Sequence, residues 1–454
     1  MDALKEKKYL VVGSGISGIA AVKLLNDVGV KNITLLEGNI NAKQEDIFKK
    51  LNGLKPELII GKIPEDRFDT FDIAVLSPGV SLEQDWVEKL KENNVTIWGE
   101  LELGYTFFKG KLLAITGTNG KTTTTALTGA IMREYFDSVF VVGNIGLPYT
   151  EYALQMKDES VTVAEVSSFQ LETIQDFKPD VSAVLNLTPD HLNRHHTMEN
   201  YAACKFRICE NQAEDEYIVL NYEDELIREL AKNVKNKIFW FSSERKLDEG
   251  IYLDGEEIIY VDDVTKETIK VCTIHDMKLL GKHNYENVMA AVAIAMKAGV
   301  DIESIRKAVR EFDAVEHRIE FVKEVDSVKY YNDSKGTNTD AAIKAVEAMI
   351  TPTIVIGGGY DKQSEYDDWI LSFKDKIKLL VLIGETANKI EACARKHGFN
   401  DIVRADSLEE AVLICRDNAK PGMSVLLSPA CASWDMFKSY EERGKIFKEC
   451  VNKL

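Results

Sequence analysis

The sequence predicts an α/β protein built in three units. Three observations carry that expectation. Short buried apolar strands alternate with amphipathic helices along almost the whole chain. Glycine-rich turns follow two of those strands, at Gly13–Gly18 and Gly117–Gly120, and each precedes a helical pattern. The length of 454 residues corresponds to about three domains.

Taken in order, residues 8–12 read as a buried strand, followed by Gly13-Ser-Gly15-Ile-Ser-Gly18 and a helix to about Val28. A second strand, Asn32 to Leu36, ends in the acid Glu37. This is the G-x-G-x-x-G pattern with an acid about 20 residues on, the dinucleotide fingerprint. A tight turn for close packing is the plainer reading. A further strand, Ile73 to Leu76, ends in Ser77-Pro78-Gly79. Ligands of doubly wound sheets sit beyond the carboxyl ends of the strands, so Ser77 and Gly79 are candidates to line the same crevice as Gly15. The alternation runs on to about Trp98.

The second unit starts near Gly99 with a helix over Glu100 to Phe108. The run Leu113 to Thr116 then enters Gly117-Thr118-Asn119-Gly120-Lys121-Thr122-Thr123. A glycine loop between strand and helix aims backbone N–H groups at one spot, and the helix dipole adds positive potential. Lys121 adds a charge, and Thr122 offers a hydroxyl suited to Mg²⁺, so the stretch predicts a triphosphate cradle. It is shorter than the general P-loop, which has a glycine where Ile115 stands. Strands at Val139–Val142, Val161–Ala164 and Val181–Leu185 end in Gly143-Asn144, Glu165 and Asn186 to His191. In a parallel sheet Asn144, Glu165 and His191 would share an edge with Lys121. Glu165 reads as a cation ligand, because an unpaired acid there would repel the triphosphate; a surface carboxylate is the alternative. His191 is a ligand candidate or a hydrogen-bonded turn residue. His195 and His196 read as solvated loop residues, and Lys205 lies on a helix, where most lysines are solvated charges. Short strands and hairpins fill Tyr217 to Val271, with a turn at Asp254-Gly255. Gly281 opens an alanine-rich helix to about Ala298, with Asn284 and Asn287 on one face at its start. Asn284 is a candidate N-cap, or the helix start faces a nucleotide.

A boundary is expected near residues 312–315. Beyond it, strands are expected at 319–322, 328–331, 353–356, 378–383 and 424–427, with a last helix from about Asp435. Polar or glycine clusters follow three of these strands, at Asn332–Asn338, Gly357–Lys362 and Ser428–Ser433, with Arg318 before them. They suggest a second ligand face. The formal charge of −18, from 74 acidic and 56 basic residues, argues against a nucleic-acid or anionic-membrane surface. Seven scattered cysteines without a C-x-x-C pair fit reduced thiols in a cytosol. No apolar run has the length of a membrane span, and the glycines in Tyr9–Val22 favour a strand and helix over a signal segment.

Together these stretches resemble the Mur ligase family. The carriers are Thr116-Gly-Thr-Asn-Gly-Lys-Thr-Thr, Gly143-Asn-Ile-Gly, Glu165-Val-Ser-Ser-Phe-Gln-Leu-Glu, Thr188-Pro-Asp-His-Leu, Lys205, His283-Asn-Tyr-Glu-Asn, Glu316-His-Arg, Asn332-Asp-Ser-Lys-x-Thr-Asn and Ser428-Pro-Ala-Cys-Ala-Ser-Trp-Asp-Met-Phe. The phosphate loop alone fits a Mur ligase or a folylpolyglutamate synthase. The Ser-Ser-Phe-Gln-Leu and Ser-Pro-Ala stretches resemble the D-glutamate-adding members, and the Asp-Asn-Pro-Arg motif of the diaminopimelate-adding relatives is missing.

The resemblance implies a Rossmann-like domain at 1–98 for the UDP end of the substrate, a central ATPase with a mostly parallel sheet at 99–313, and a Rossmann-like amino-acid domain at 314–454. It implies an ATP-dependent ligase that joins D-glutamate to UDP-N-acetylmuramoyl-L-alanine through an acyl phosphate, as a cytoplasmic, monomeric enzyme of peptidoglycan precursor synthesis. Carried over residue by residue, Gly117 to Thr123, Asn284, Asn287, Arg318 and Asp333 bind ATP. Thr122 and Glu165 hold one Mg²⁺, and His191 a second, with Lys205 carbamylated by CO₂. Gly15, Ile16, Ser17, Ser77, Gly79, Asn144 and His191 meet the UDP substrate; no uracil contact is matched in Glu37-Gly38-Asn39. Lys335, Thr337, Lys362, Ser433 and the backbone near Tyr440 meet D-glutamate, with Lys335 also beside the tetrahedral intermediate. Lys121, Glu165, His191, Lys205 and Lys335 carry the chemistry. Closure of the third unit on the second is expected during turnover. Three rival readings remain at this point: folylpolyglutamate synthase, an NAD(P)-dependent oxidoreductase resting on Gly13–Gly18 and Glu37, and a nucleotide sensor without turnover.

Overall fold

The computed structural model describes residues 2–313 and 315–454. The expected domain limits at 1 and 314 fall on the two residues outside that description. By internal contacts the chain forms two compact units, Met1–Ile274 with Glu286–Val309, and His275–Tyr285 with Arg310–Leu454. The first unit carries two sheets and the second carries one.

The first sheet contains β1 (Lys8–Val12), β2 (Asn32–Glu37), β3 (Glu57–Ile60), β4 (Ile73–Leu76) and β5 (Thr96–Gly99), in the order β3-β2-β1-β4-β5. All pairings are parallel. Tyr9 to Val12 and Ile73 to Leu76 are buried throughout, as unbroken apolar strands covered on both faces must be. The winding reverses between β1 and β4, which puts the Gly13–Gly18 turn and the Ser77–Gly79 loop on either side of one crevice.

The second sheet contains β6 (Lys111–Thr116), β7 (Val139–Gly143), β8 (Val161–Glu165), β9 (Val181–Val184), β10 (Tyr217–Asn221), β11 (Lys237–Ser242), β12 (Gly250–Asp254), β13 (Glu257–Val261) and β14 (Thr268–Thr273). Its order is β14-β13-β12-β11-β10-β9-β6-β8-β7. Strands β6 to β12 run parallel, and β12 to β14 form an antiparallel meander whose first turn is the expected Asp254-Gly255.

Between the two sheets lies the helix Glu100–Thr106, two residues shorter than the expected span to Phe108. It buries two carboxylates that the sequence did not mark. Glu102 accepts the N–H groups of Gln175, Asp176 and Phe177 at 2.9, 2.8 and 3.2 Å. Glu100 accepts from the Thr150 N–H at 2.7 Å and its hydroxyl at 2.6 Å. Burial raises both carboxyl pKa values against these hydrogen bonds.

The second unit's sheet contains β15 (Glu320–Val325), β16 (Val328–Asn332), β17 (Thr353–Gly357), β18 (Ile377–Leu382), β19 (Ile402–Arg404) and β20 (Ser424–Leu427), ordered β15-β16-β20-β17-β18-β19. Only β15 and β16 pair antiparallel. The short edge strand β19 was not expected. The last helix is Tyr440–Asn452 and not a helix from Asp435, because Ser439 takes the cap position and accepts the Glu442 N–H. Among the described residues no helix is long and apolar enough to cross a membrane.

Candidate active site

The phosphate loop links β6 to the helix Lys121–Tyr135, and Gly120 sits at the cap position with φ 83°. A Cβ there would lie 2.1 Å from Asn287 Oδ1, so glycine is required both by conformation and by the neighbour. Gly117 has φ 146° and packs on Leu185. The exit of β9 braces the loop: Asn186 accepts the Asn119 N–H at 2.8 Å and donates to its carbonyl at 3.1 Å. The Thr118 hydroxyl lies 3.1 Å from Tyr201 and accepts the Thr188 N–H at 3.0 Å. Neither Asn186 nor Tyr201 had been assigned a role from sequence. Thr122 is half-buried in the first helical turn, Thr123 is buried, and Thr124 reaches Asn287 Oδ1 at 3.3 Å.

Strands β7, β8, β6 and β9 are parallel neighbours, so Asn144, Glu165 and His191 do share a sheet edge with Lys121. Glu165 is 1 % exposed, which removes the surface-carboxylate alternative. Its Oε1 accepts from Asn144 Nδ2 at 2.8 Å, while its Oε2 is buried with no partner. A buried carboxylate oxygen without a donor is costly, and a cation ligand is the group such an acceptor fits. Lys121 Nζ folds onto the carbonyls of Gly117 and Thr118 at 2.9 and 2.8 Å.

Lys205, on the helix Met198–Phe206, is buried and not a solvated charge. Its Nζ donates to the Gly117 carbonyl at 2.8 Å. Burial, then the charge of Lys121, lowers its pKa to about 7. His191 has φ 52° and is half-exposed, with Phe169 tilted against it at 4.8 Å between ring centroids. His196 is exposed and pairs with Glu83 at 2.7 Å. His195 corrects the solvated-loop expectation: it is 6 % exposed and bonds Ser168 Oγ at 3.0 Å. Its burial comes from Phe169 and Tyr201, which no local pattern around residue 195 reveals.

At the first sheet's crevice, Gly13 has φ 96° and Gly18 packs so closely that a Cβ would lie 1.9 Å from the Gly13 carbonyl oxygen. A Cβ on Gly15 or Gly79 would meet nothing within 4 Å. Ile16 is 73 % exposed at the mouth and Ser17 is half-buried. The Ser77 hydroxyl donates to the Val12 carbonyl at 2.7 Å. Glu37 turns inward and accepts the Ser14 N–H at 3.1 Å and the Asn39 N–H at 2.8 Å. These bonds and the Ser14 hydroxyl outweigh burial and lower its pKa.

In the second unit, β16, β20 and β17 are adjacent and parallel, so the three polar clusters share one edge. Asp333 accepts from Ser428 Oγ at 2.7 Å, and burial raises its pKa to about 7 despite that bond and Arg318. Arg318 Nε is buried without a partner. Lys335 is half-buried, its Nζ 5.6 Å from the Tyr440 ring centroid, and Thr337 follows in a turn closed on the Lys335 carbonyl at 2.8 Å. The Tyr440 carbonyl accepts from Ser334 Oγ at 2.8 Å. Ser433 is buried, and Lys362 is exposed with Nζ 5.2 Å from the Trp434 ring centroid. Asn284 stands inside the helix Lys282–Ala298 and donates to the Leu280 carbonyl at 2.7 Å, so it is not the N-cap. Asn284 belongs to the second unit and Asn287 to the first.

The residue that sequence reading missed here is Arg443. It is fully buried, donating to Ser334 Oγ at 3.0 Å, the Ser334 carbonyl at 2.8 Å, the Cys431 carbonyl at 3.1 Å and the Ala432 carbonyl at 3.3 Å. It ties the Asn332–Asn338 loop to the Ser428–Ser433 loop. Burial lowers its pKa to about 10.

Comparison with known proteins agrees with this geometry. Residues 7–99 match the N-terminal domain model described as Mur ligase MurD-like, residues 115–295 the Mur ligase middle domain, and residues 317–431 the Mur ligase glutamate ligase domain. A UDP-N-acetylmuramoylalanine--D-glutamate ligase of Lachnospira eligens is 54 % identical over 451 residues, covering 99 % of this chain and all of its own. One of Lachnoclostridium phytofermentans is 54 % identical over 449 residues, covering 99 % of this chain and 98 % of its own. Among solved structures, UDP-N-acetylmuramate-alanine ligase MurC from Thermotoga maritima aligns with TM-score 0.61 at 17 % identity, covering 99 % of this chain and 100 % of that one. MurF ligase from Thermotoga maritima in complex with ADP aligns with TM-score 0.60 at 16 % identity over both whole chains. The parallel sheets, the phosphate loop and the full-length relatives agree: this chain belongs to the Mur ligase family.

Proposed function

We propose that this chain joins D-glutamate to UDP-N-acetylmuramoyl-L-alanine at the expense of ATP, in peptidoglycan precursor synthesis. The relatives 54 % identical across its length bear that name. The observation that carries the chemistry is Glu165, a buried carboxylate with one oxygen unpartnered on the sheet edge that holds the phosphate loop.

A carboxylate and an amine do not condense in water, so the muramoyl-alanine carboxylate is first phosphorylated by ATP, and the acyl phosphate is then attacked by the D-glutamate amine. Phosphoryl transfer is chiefly positioning and charge neutralisation. The N–H groups of Gly117 to Thr123 and the Lys121 ammonium receive the β- and γ-phosphates, with Asn284, Asn287, Arg318 and Asp333 completing the nucleotide site. Thr122 and Glu165 fit one Mg²⁺, and His191 a second. When bound, Mg²⁺ neutralises charge on the phosphates. Lys205 cannot ligate a cation as an ammonium. Its lowered pKa makes a neutral amine accessible, the form that adds CO₂ to give an anionic carbamate. Gly15, Ile16, Ser17, Ser77, Gly79, Asn144 and His191 receive the UDP substrate; the open space at Gly15 and Gly79 supports close ligand approach there. Lys335, Thr337, Lys362, Ser433 and the Tyr440 backbone receive D-glutamate, and Lys335 stabilises charge in the tetrahedral intermediate. We read 1–98, 99–313 and 314–454 as the UDP, ATP and amino-acid parts of a monomeric cytoplasmic enzyme.

The test is phosphate release from ATP with UDP-N-acetylmuramoyl-L-alanine and D-glutamate, each omitted in turn. Release is expected only with all three. Preference for L-glutamate on a folate, or background release throughout, overturns the reading.

A further inference from the structure

Arg194 occupies a position between the two sheets of the first unit that no substrate assignment explains. Its side chain is 13 % exposed. On one side, Nη1 donates to the Pro78 carbonyl at 2.8 Å and Nη2 to the Val80 carbonyl at 2.9 Å. These carbonyls flank Gly79 in the loop after β4. On the other side the guanidinium forks onto Glu172, with Nε to Oε1 at 3.0 Å and Nη2 to Oε2. Its Cζ lies 4.1 Å from the Phe169 ring centroid, and that ring packs on His191 with centroids 4.8 Å apart. Arg194 follows His191 by three residues, on the short helix Leu192–His195 that His191 opens. A planar fork suits both the carboxylate and the paired carbonyls, which a lysine point charge cannot match.

We propose that Arg194 is a positioning residue that registers the Ser77–Gly79 loop of the first sheet against His191 of the second, and so sets affinity for the UDP substrate. The inference rests on the ligase reading above. Pro78 and Val80 meet the guanidinium through their carbonyls, and beside the exposed His196–Glu83 pair Arg194 is the buried tie between this loop and the segment after β9. Phe169 carries the same constraint to the imidazole. Neither contact touches the phosphate loop or the second unit's polar clusters. The effect on KM therefore falls on the UDP substrate, while the part of His191 in the second Mg²⁺ site would show in kcat.

The test compares the full-length wild type with Arg194→Lys. Because truncation strands a half-buried carboxylate, the double variant Arg194→Gln/Glu172→Gln is measured beside it. In both, the KM for UDP-N-acetylmuramoyl-L-alanine is expected to rise about tenfold, equivalent to about 1.4 kcal/mol of binding, with KM for ATP and D-glutamate within about twofold. A purely structural role would lower the melting temperature and leave the three KM values in their wild-type ratio, which overturns the proposal. So does an unchanged KM for the UDP substrate in both variants. Wild type without turnover overturns the ligase reading instead. Calorimetric titration with UDP-N-acetylmuramoyl-L-alanine then still reads Arg194, and equal or undetectable binding by wild type and variants refutes its role.

Discussion

At the scale of single residues, the site depends on charges held where water is scarce. Lys205 is the clearest case. An ammonium that is 2 % exposed and close to Lys121 is disfavoured, and its pKa falls to about 7. A neutral amine at that pH can take up CO₂, and a carbamate would exchange a second cation beside the loop for an anion. Lys205→Ala is therefore expected to lose about 10²–10³-fold in phosphate release, the scale of removing one preorganised charge from a transition state. Short-chain carboxylic acids added to that variant are expected to restore part of the rate, since they can replace the carbamate's oxygens. A variant that loses activity but gains nothing across acetate, formate and propionate would place Lys205 in the site as an amine. The sequence made Lys121 and Glu165 legible because motif and strand end are local. It left Tyr201, His195 and Arg443 illegible because their roles come from distant partners. Arg443 meets Ser334 across 109 residues of chain, and no spacing rule covers that interval.

At the scale of elements, the strands that carry the polar and glycine clusters were readable from apolar runs, whereas β3 and β5 were covered only by a general strand–helix alternation and β10 to β14 only as a region of short strands and hairpins. The edge strand β19 was not readable, since Ile402–Arg404 is too short to show a pattern. The last helix starts five residues after the expected Asp435, because the capping hydroxyl of Ser439 decides the start at Tyr440. The first glycine turn shows how one motif divides its work. Gly18 is excluded from any larger side chain by the Gly13 carbonyl 1.9 Å from its would-be Cβ, whereas Gly15 faces open space at φ −76°. Gly18→Ala must push the helix Ile16–Asp27 off β1 and is expected to cost about 1–3 kcal/mol in denaturant unfolding. Gly15→Ala is expected to change stability by less than about 1 kcal/mol, yet to raise KM for the UDP substrate. If Gly15→Ala left that KM at the wild-type value, the turn would be a packing device without a ligand against it.

At the scale of the whole molecule, the residues assigned to ATP are divided between the two compact units. Gly117 to Thr123 and Asn287 belong to the first, and Asn284, Arg318 and Asp333 to the second. The second unit's share is incomplete by itself: Arg318 has a buried Nε without a partner, and burial raises the Asp333 carboxyl pKa to about 7 against the Ser428 hydroxyl bonded to it. An anionic nucleotide would supply the acceptor that Arg318 lacks. Lys335, on the loop that follows β16, must also reach the acyl phosphate made at the first unit's sheet edge if it is to stabilise the attack of the amine. One ATP can satisfy both sets only when both units engage it, and the same engagement would keep water from the acyl phosphate. Binding of an ATP analogue together with UDP-N-acetylmuramoyl-L-alanine is therefore expected to lower the radius of gyration in solution scattering, and either ligand alone is expected to do so less. The comparison is specific because Arg318→Ala weakens the second unit's hold on the nucleotide, leaving Asn284 and Asp333, without touching the phosphate loop, so that variant should bind the analogue yet show a smaller change in its scattering curve than the wild type. Superimposable curves for the wild type with and without both ligands would mean that the two sets of residues do not converge on one nucleotide, and Arg318 and Asp333 would then need another ligand.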